Sequence, residues 1–89
     1  GLMQTFELAL DPDSWTEIGS GFNTVAFDLV QANAGVEVYF TETADDPGAV
    51  AGNRVASWGD GWDFVVTGMD RSAQWMWVRG SGRIRGARQ

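Results

Sequence analysis

The fold of this chain is decided by residues 75–85, WMWVRGSGRIR. Side chains of an extended segment point alternately to opposite faces, so the two tryptophans share one face of a strand and Met76 and Val78 share the other. Gly80-Ser81-Gly82 then interrupts the alternation with residues that favour tight turns. We therefore predict two strands here, joined by the glycine-rich turn as a hairpin.

The same period of two recurs along the rest of the chain. Apolar residues alternate with polar ones in short runs, and Gly, Pro, Asn and Asp separate the runs. The chain has 12 glycines in 89 residues, which disfavours long helices. These features predict an all-β fold, a small antiparallel β-sandwich or jelly-roll-like domain of about seven to eight short strands. The predicted strands cover 6–10, 14–18, 23–31, 35–42, 53–58, 61–67, 73–79 and 82–85.

Individual segments carry further expectations. Trp62 lies two residues before Phe64 in an alternating run, which predicts that its ring is buried. Residues 44–51 are rich in alanine but contain a proline and a glycine, so we expect a loop or a single turn there. The chain is long enough for one modest core, and we expect a single domain over 1–89. The tail, 86–89, is expected to be frayed or to be ordered by a partner.

The composition leaves few groups for catalysis. The chain has no cysteine, no histidine and no lysine. Thiolate and imidazole chemistry, the commonest metal ligands and Schiff-base formation are therefore excluded. Carboxylate pairs occur where turns are predicted, and acidic residues are ordinary turn residues. We expect no enzymatic activity, no catalytic residue, no metal and no cofactor. The pairs are Asp11 with Asp13, Asp45 with Asp46, and Asp60 with Asp63.

Two classes of partner are disfavoured by charge and hydropathy. No apolar run approaches the ~18 residues that a membrane-spanning helix needs. The formal net charge of −6 argues against nucleic acid, because phosphate binding draws on a surplus of basic residues. We therefore expect partners that are proteins, with no nucleic acid and no membrane.

The charges are distributed unevenly along the chain. Residues 1–50 contain nine carboxylates and no basic residue, whereas residues 51–89 contain six arginines and three carboxylates. One interpretation is that complementary charge is found on further copies of the chain or on a larger body that it coats. The other is that strands of the two halves pair with each other and the asymmetry vanishes in space.

Aromatic and arginine side chains are the candidate interface residues. Both faces of 75–78 are apolar, so one face is expected to meet the core and the other to meet a partner. The arginines are expected either to form a solvated edge or to pair with carboxylates within or between protomers. A carbohydrate-binding surface is the alternative, using Trp58, Trp62, Trp75 or Trp77. The candidate interface residues are Trp75, Trp77, Arg79, Arg83, Arg85 and Arg88.

Several short motifs occur in a familiar order. Ser14-Trp15-Thr16 with a Gly-Ser-Gly turn precedes VEVYFTET at 36–43, a Pro-containing loop and GNRV at 52–55. WVRG at 77–80 and GRI at 82–84 close the chain. This order resembles the small all-β structural proteins of tailed bacteriophages.

The resemblance implies a non-enzymatic virion component on the capsid exterior or on the head or tail surface. Such proteins decorate or cement capsids, with head-fibre and tail components as alternatives, and they are often trimeric. The implied partners are further copies in a homotrimer and the major capsid protein, and a host-surface glycan is a further candidate. The resemblance supplies no catalytic residue.

Overall fold

A computed structural model describes residues 3–30, 35–55 and 62–89. Within those residues the chain forms eight β-strands and no helix, so the predicted all-β sandwich is confirmed. Residues 44–51 contain neither helix nor strand, as expected for a loop. The strands are β1 (Gln4–Leu10), β2 (Thr16–Ser20), β3 (Val25–Leu29), β4 (Val36–Thr41), β5 (Asn53–Val55), β6 (Phe64–Val66), β7 (Trp75–Gly80) and β8 (Gly82–Arg88).

The strands form two four-stranded sheets that enclose one core. Sheet A has the order β1-β8-β3-β6, and sheet B has the order β2-β7-β4-β5. All neighbouring strands are antiparallel. β7 and β8 are therefore interior strands, each with a partner on both sides.

The connection between β7 and β8 is a corner between the sheets, so the predicted hairpin at 80–82 is wrong. β7 ends at Gly80 in sheet B, and β8 begins at Gly82 in sheet A. Gly82 has a φ of 116°, a conformation that residues with a Cβ rarely adopt. A glycine-rich break signals a sharp change of direction, but it does not say whether the strand folds back on itself or enters the facing sheet.

β1 and β2 pair with β8 and β7 along one side of this corner. Leu10 lies opposite Gly82 in sheet A, and Thr16 lies opposite Val78 in sheet B. The Gly80 N–H also donates to the Asp11 carbonyl at 3.2 Å, so hydrogen bonding continues beyond the end of β1. The two strands together form one bent ribbon against β8 and β7.

β3 and β4 pair with β8 and β7 along the other side of the corner. Leu29 lies opposite Ile84 in sheet A, and Val36 lies opposite Gly80 in sheet B. The Val30 N–H donates to the Arg83 carbonyl at 2.9 Å. Both sheets are therefore built around one bent central ribbon, β7–β8, with a bent ribbon on each side.

The core lies between the inward faces of the two sheets. Alternate side chains of each strand point into it, as the period of two predicts. Phe27 stacks on Phe64 with ring centroids 5.1 Å apart. The buried core cluster comprises Ile18, Val25, Phe27, Val36, Val38, Val55, Met69, Met76, Val78 and Ile84.

Two local predictions differ from the structure. Trp62 is 48% exposed rather than buried. It precedes β6, whose first residue is Phe64, so the alternation that buries residues of that strand does not extend to it. The tail 86–89 is not frayed, because β8 continues to Arg88 and the Gln89 carbonyl accepts hydrogen bonds from two backbone amides of the segment before β3.

Gly86 permits the closest approach of two strands in sheet A. A Cβ built at Gly86 would collide with the Ala26 carbonyl oxygen and would lie 2.8 Å from Phe27 Cα. These neighbours are backbone atoms of β3, so they cannot move aside by a change of rotamer. A side chain at this position would separate β8 from β3.

We therefore expect Gly86→Ala to lower the free energy of unfolding by about 3 kcal/mol, the upper end of the usual range for overpacking. Denaturant unfolding at neutral pH measures the change. Gly21→Ala is the matched control, because a Cβ there meets nothing within 4 Å and only the φ of 80° is unfavourable. The control should lose about 1 kcal/mol, and equal losses in both variants would contradict the close-approach argument.

Candidate interaction surfaces

The fold brings the acidic first half and the arginine-rich second half of the chain together. β1 pairs with β8, β2 with β7, β3 with β6 and β8, and β4 with β5 and β7. Two ion pairs join the halves within the described residues: Arg79 with Glu37 at 2.9 Å and Arg83 with Glu7 at 2.7 Å. The structure thus supports the interpretation in which folding mixes the charges, and these two arginines meet carboxylates of their own chain.

The sheet-B face is the outward surface of β4 and β7. Met76 and Val78 of β7 are fully buried in the core, so Trp75, Trp77 and Arg79 point outward by alternation. Outward side chains of β4 lie directly opposite them. The cross-strand pairs are Trp75 with Thr41, Trp77 with Tyr39, and Arg79 with Glu37.

Arg79 fastens the loop between β4 and β5 to this face. Its Nε and Nη2 donate to Glu37 Oε2 at 3.1 and 2.9 Å, and Nη2 also donates to the Val50 carbonyl at 3.0 Å. The guanidinium lies 4.2 Å from the ring centroid of Trp15, whose Nε1 donates to the Gly48 carbonyl at 2.9 Å. The contacts of Arg79 are therefore made inside the chain, where they hold a loop.

The two tryptophans of β7 differ in what they leave exposed. Trp77 is 7% exposed, and its Nε1 donates to Thr41 Oγ1 at 2.8 Å. Trp75 is half-buried and lies opposite Ser20 on its other side. The indole of Trp77 is thus enclosed by its own chain, and Trp75 retains part of its surface for contact.

The sheet-A face is the outward surface of β1, β8, β3 and β6. Ile84 is fully buried, so Arg83 and Arg85 point outward on either side of it. Arg85 lies between Glu7 of β1 and Asp28 of β3 in the strand register. This face therefore carries the predicted arginine pair, with carboxylates on both flanking strands.

Arg88 is partly buried at the end of β8. Its guanidinium carbon is 4.8 Å from the ring centroid of Phe6 and 4.7 Å from that of Phe22. Nη1 donates to the Ile18 carbonyl at 2.8 Å, and Nε is buried with no hydrogen-bond partner among the described residues. A cation between two aromatic faces stabilises their packing, so Arg88 joins β1, β8 and the segment that precedes β3.

An exposed apolar strip lies along β6, and the alternation did not reveal it. Val65 is 57% exposed, Trp62 is 48% exposed and Val30 is 40% exposed. Val65 belongs to β6, Trp62 precedes that strand, and Val30 follows β3, the neighbour of β6. The signal available in the sequence was the unbroken apolar run Phe64-Val65-Val66, whose middle residue must point away from the core. We call Val30, Trp62 and Val65 the β6 strip.

Several carboxylates bind backbone amides. Asp11 Oδ1 accepts a hydrogen bond from the Asp13 N–H at 2.7 Å, and Asp46 Oδ1 accepts one from the Gly48 N–H at 2.7 Å. Asp63 Oδ2 accepts one from the last N–H of β3 at 2.8 Å. Within the part of the chain that the structure describes, no three Asp or Glu side chains are grouped in a way that could hold a metal ion.

One further acidic turn follows β6. The Ser72 hydroxyl and N–H donate to Asp70 Oδ1 at 2.7 and 2.9 Å. These hydrogen bonds hold the pKa of the Asp70 carboxyl below its ordinary value, and the bond from the hydroxyl has the larger effect. Asp70 therefore acts as a turn residue, as acidic residues in such segments usually do.

Two residues named in the sequence analysis, Trp58 and Asp60, lie outside the described residues. In the ranges 3–30, 35–55 and 62–89, no helix has the length and apolar character needed to cross a membrane.

Comparisons of the chain with protein-family models, with curated proteins and with solved structures gave no match.

The Arg79–Glu37 pair makes the stability of the fold depend on pH. Hydrogen bonds from Arg79 hold the pKa of Glu37 below its ordinary value of 4.5; desolvation opposes this shift, and the Gly52 N–H supports it. A carboxylate with a lowered pKa stabilises the folded state fully above its unfolded pKa. That contribution is lost as the pH falls through the folded pKa.

We expect Glu37→Gln to lower the free energy of unfolding by up to about 1 kcal/mol at neutral pH, because the pair is partly exposed. The difference from the wild type should shrink as the pH is lowered below 4.5. Denaturant unfolding at neutral pH and at a pH below 4.5 measures the free energy of unfolding. Glu42→Gln, at an exposed position just after β4, is the control. A loss that is the same at both pH values would contradict the ionic contribution.

Proposed function

We propose that this protein is a non-enzymatic structural component of a bacteriophage virion. In the most specific form of the proposal it is a decoration or cement protein. It binds the outer shell of the capsid through the major capsid protein and self-associates, with three copies as the preferred assembly. The proposal joins the resemblance of the sequence motifs to the character of the surface.

The observation that carries the proposal is the β6 strip. Val30, Trp62 and Val65 are each at least 40% exposed on adjacent segments of a small sandwich. Adjacent exposed apolar side chains on a soluble protein mark surfaces that a partner covers. The arginines and carboxylates of the sheet-A face lie on one side of this strip, and protein interfaces commonly have such a polar rim.

The chemistry of the chain supports a binding role over a catalytic one. The sequence lacks histidine, cysteine and lysine, and the carboxylates of Asp11, Asp46 and Asp63 are bound to backbone amides. Without histidine, cysteine and lysine the chain lacks the commonest general base, the thiolate nucleophile and the Schiff-base amine.

The mechanism of a cement protein would be additive. Each copy would bury apolar surface and form ionic contacts at a junction between shell subunits. A contact of modest strength becomes effective when many copies act on one particle and when copies are linked to each other. Because binding to the intact shell alone stabilises that state by mass action, the shell would resist expansion and loss of its contents.

Head-fibre and tail components use the same kind of surface and remain alternatives within the virion.

The carbohydrate alternative is weaker on geometric grounds. Trp75 lies at the end of β7 farthest from the corner, whereas Trp62 precedes β6 at the corner end of β3. These two partly exposed rings therefore do not form one stacking platform, and the rings of Trp15 and Trp77 are buried with bonded Nε1 atoms.

The test compares particles that lack the protein with complete particles. We expect particles without it to release their contents at a lower temperature or a smaller osmotic shock, and added purified protein should restore their resistance. An unrelated protein of similar size and net charge, added at the same concentration, is the control for non-specific effects.

Equal resistance of particles with and without the protein would contradict the cement function. Saturable binding to a glycan that is lost in Trp62→Ala or Trp75→Ala would then favour the carbohydrate-binding alternative.

A further inference from the structure

One edge of the sandwich is long and regular, and the other edges are not. Among the described strands, the edges are β1 and β6 in sheet A and β2 and β5 in sheet B. β5 and β6 have three residues each, and the register of β2 shifts between Glu17 and Gly19. β1 has an unbroken register from Gln4 to Leu10 and contains neither a proline nor a basic residue. Short strands, irregular pairing, prolines and basic residues protect sheet edges from further pairing, so β1 is the open edge of this fold.

The hydrogen bonds of β8 show which way its backbone groups point. The Gln89 N–H donates to the Thr24 carbonyl, the Gln89 carbonyl accepts the Thr24 N–H, and the Arg83 carbonyl accepts the Val30 N–H. Backbone groups alternate in direction along an antiparallel strand. The odd-numbered residues from 83 to 89 therefore bond the β3 side, and the even-numbered residues of β8 bond β1.

The alternation along β1 then leaves its odd-numbered backbone groups at the edge. In the register with β8, even-numbered residues of β1 lie opposite even-numbered residues of β8. The N–H and carbonyl groups of Thr5, Glu7 and Ala9 therefore point away from β8. None of these groups has a hydrogen-bond partner among the described residues, and all three residues are exposed. The edge thus offers donors and acceptors to a further strand.

The inward side chains of β1 are incompletely covered. Phe6, Leu8 and Leu10 pack against the core, and each is only partly buried. A further strand with apolar residues on the same face would cover them and extend the core. This is the arrangement in which a strand adds to a sheet edge, with backbone hydrogen bonds for affinity and alternate side chains for specificity.

We propose that β1 of a second copy of this chain pairs antiparallel with β1, about a two-fold axis perpendicular to the sheet at Leu8. Leu8 then meets Leu8 of the partner, Phe6 meets Leu10, and Glu7 meets Ala9. Residues directly opposite each other lie on the same face, so the apolar side chains of both copies face the core side. Glu7 and Ala9 exchange the backbone hydrogen bonds that the edge leaves open. A two-fold contact requires a surface that is complementary to itself, and the stretch 6–10 meets that requirement.

The sequence of β1 selects this register over its neighbours. A two-fold axis at Glu7 would set two carboxylates directly opposite each other, which is unfavourable. An axis at Phe6 would set the apolar Leu8 against the polar Gln4 at the start of the strand. With the axis at Leu8, each apolar side chain meets another, and each carboxylate meets a small alanine.

The charges next to the contact also suit a second copy. Ala9 lies opposite Arg83 of β8, so in the pair it stands between that arginine and Glu7 of the partner. Arg83 already bonds Glu7 of its own chain at 2.7 Å. Glu7 is the one charged residue of β1, and it is therefore neutralised on both sides of the axis. Two copies can meet here without net repulsion, although each chain has a formal charge of −6.

The small size of the contact sets the expected strength. Only the stretch 6–10 of each copy takes part, whereas a standard interface uses about 20–30 residues on each side. The pair is therefore weak in free solution and gains strength where many copies are held on one particle. The inference rests on the self-association in the proposed function and assigns the strand that mediates it. Because this contact joins copies in pairs and does not use the β6 strip, an assembly of three copies needs a further contact.

The first test cross-links the pair through introduced cysteines, which the chain otherwise lacks. Glu7→Cys and Ala9→Cys are prepared separately, and both positions are exposed. In a mixture, the two cysteines face each other with Cα atoms about 5.5 Å apart, within the range of a disulfide. In either variant alone, the cysteines are diagonal neighbours about 7–8 Å apart, which is too far. Mild oxidation followed by intact-mass spectrometry should show at least about tenfold more mixed than like disulfide.

The second test removes a backbone donor from the open edge. Because the Ala9 N–H points away from β8, Ala9→Pro removes no hydrogen bond of the sheet but removes one from each half of the pair. We expect association at least about tenfold weaker than in the wild type by sedimentation equilibrium. Thr5→Pro is the matched control: its N–H also points outward, but it lies outside the stretch 6–10 and should leave association unchanged. If Ala9→Pro is unfolded by thermal denaturation, Ala9→Glu replaces it, because it sets a carboxylate opposite Glu7 of the partner.

Three results would overturn the inference: a wild type that stays monomeric at millimolar concentration, mixed and like disulfides in comparable amounts, or a folded Ala9→Pro or Ala9→Glu variant that associates as the wild type does. If the Ala9 variant loses pairing but still protects particles, the proposed function stands without this contact. If complete particles and those lacking the protein are equally resistant, the proposed function fails while the cross-linking result is unaffected.

Discussion

The bend between β7 and β8 is the constraint on which both sheets depend. These two strands are interior in their sheets, and only Ser81 separates them, so the sheets must meet at a corner beside this residue. A Cβ at Gly80 would lie 2.7 Å from Val36 Cγ1, so the corner also requires a residue without a side chain at its end. The flanking ribbons, β1–β2 and β3–β4, have longer connections at this corner than the single residue between β7 and β8.

The central position of that ribbon also determines where the charges meet. Four of the six arginines lie on β7 and β8, in the middle of each sheet, and the strands on either side come from the acidic half. Arg79 thus meets Glu37 of β4, and Arg83 meets Glu7 of β1. A charge split that is conspicuous along the chain becomes an alternation across the strands. Opposite charges on neighbouring strands favour their pairing, whereas like charges there are unfavourable.

Local patterns predicted the strands well because alternation is imposed by the pleat of each strand and by one shared core. They predicted neither the corner at 80–82 nor the ordered tail, because both depend on which strands become neighbours. Residue 86 is a glycine, which looks like a weak end of a strand, yet its missing side chain lets β3 pair closely with β8. The predicted burial of Trp62 was wrong for a related reason, because periodicity does not reveal the residue at which a strand begins. Of the predicted interface residues, only the exposure of the arginines around Ile84 followed from alternation alone.

The two outer faces of the sandwich differ in how far the chain covers them itself. On the sheet-B face, Trp15 and Arg79 hold the loop after β4 against the strands, and Trp77 is enclosed. The sheet-A face has no such loop among the described residues, and it borders Val65, the most exposed large apolar side chain described. The number of tryptophans therefore does not identify the binding surface, because aromatic rings with bonded Nε1 atoms serve the fold. The sheet-A face instead exposes Arg85 and Val65, while the alanines at its centre, Ala26 and Ala87, are buried.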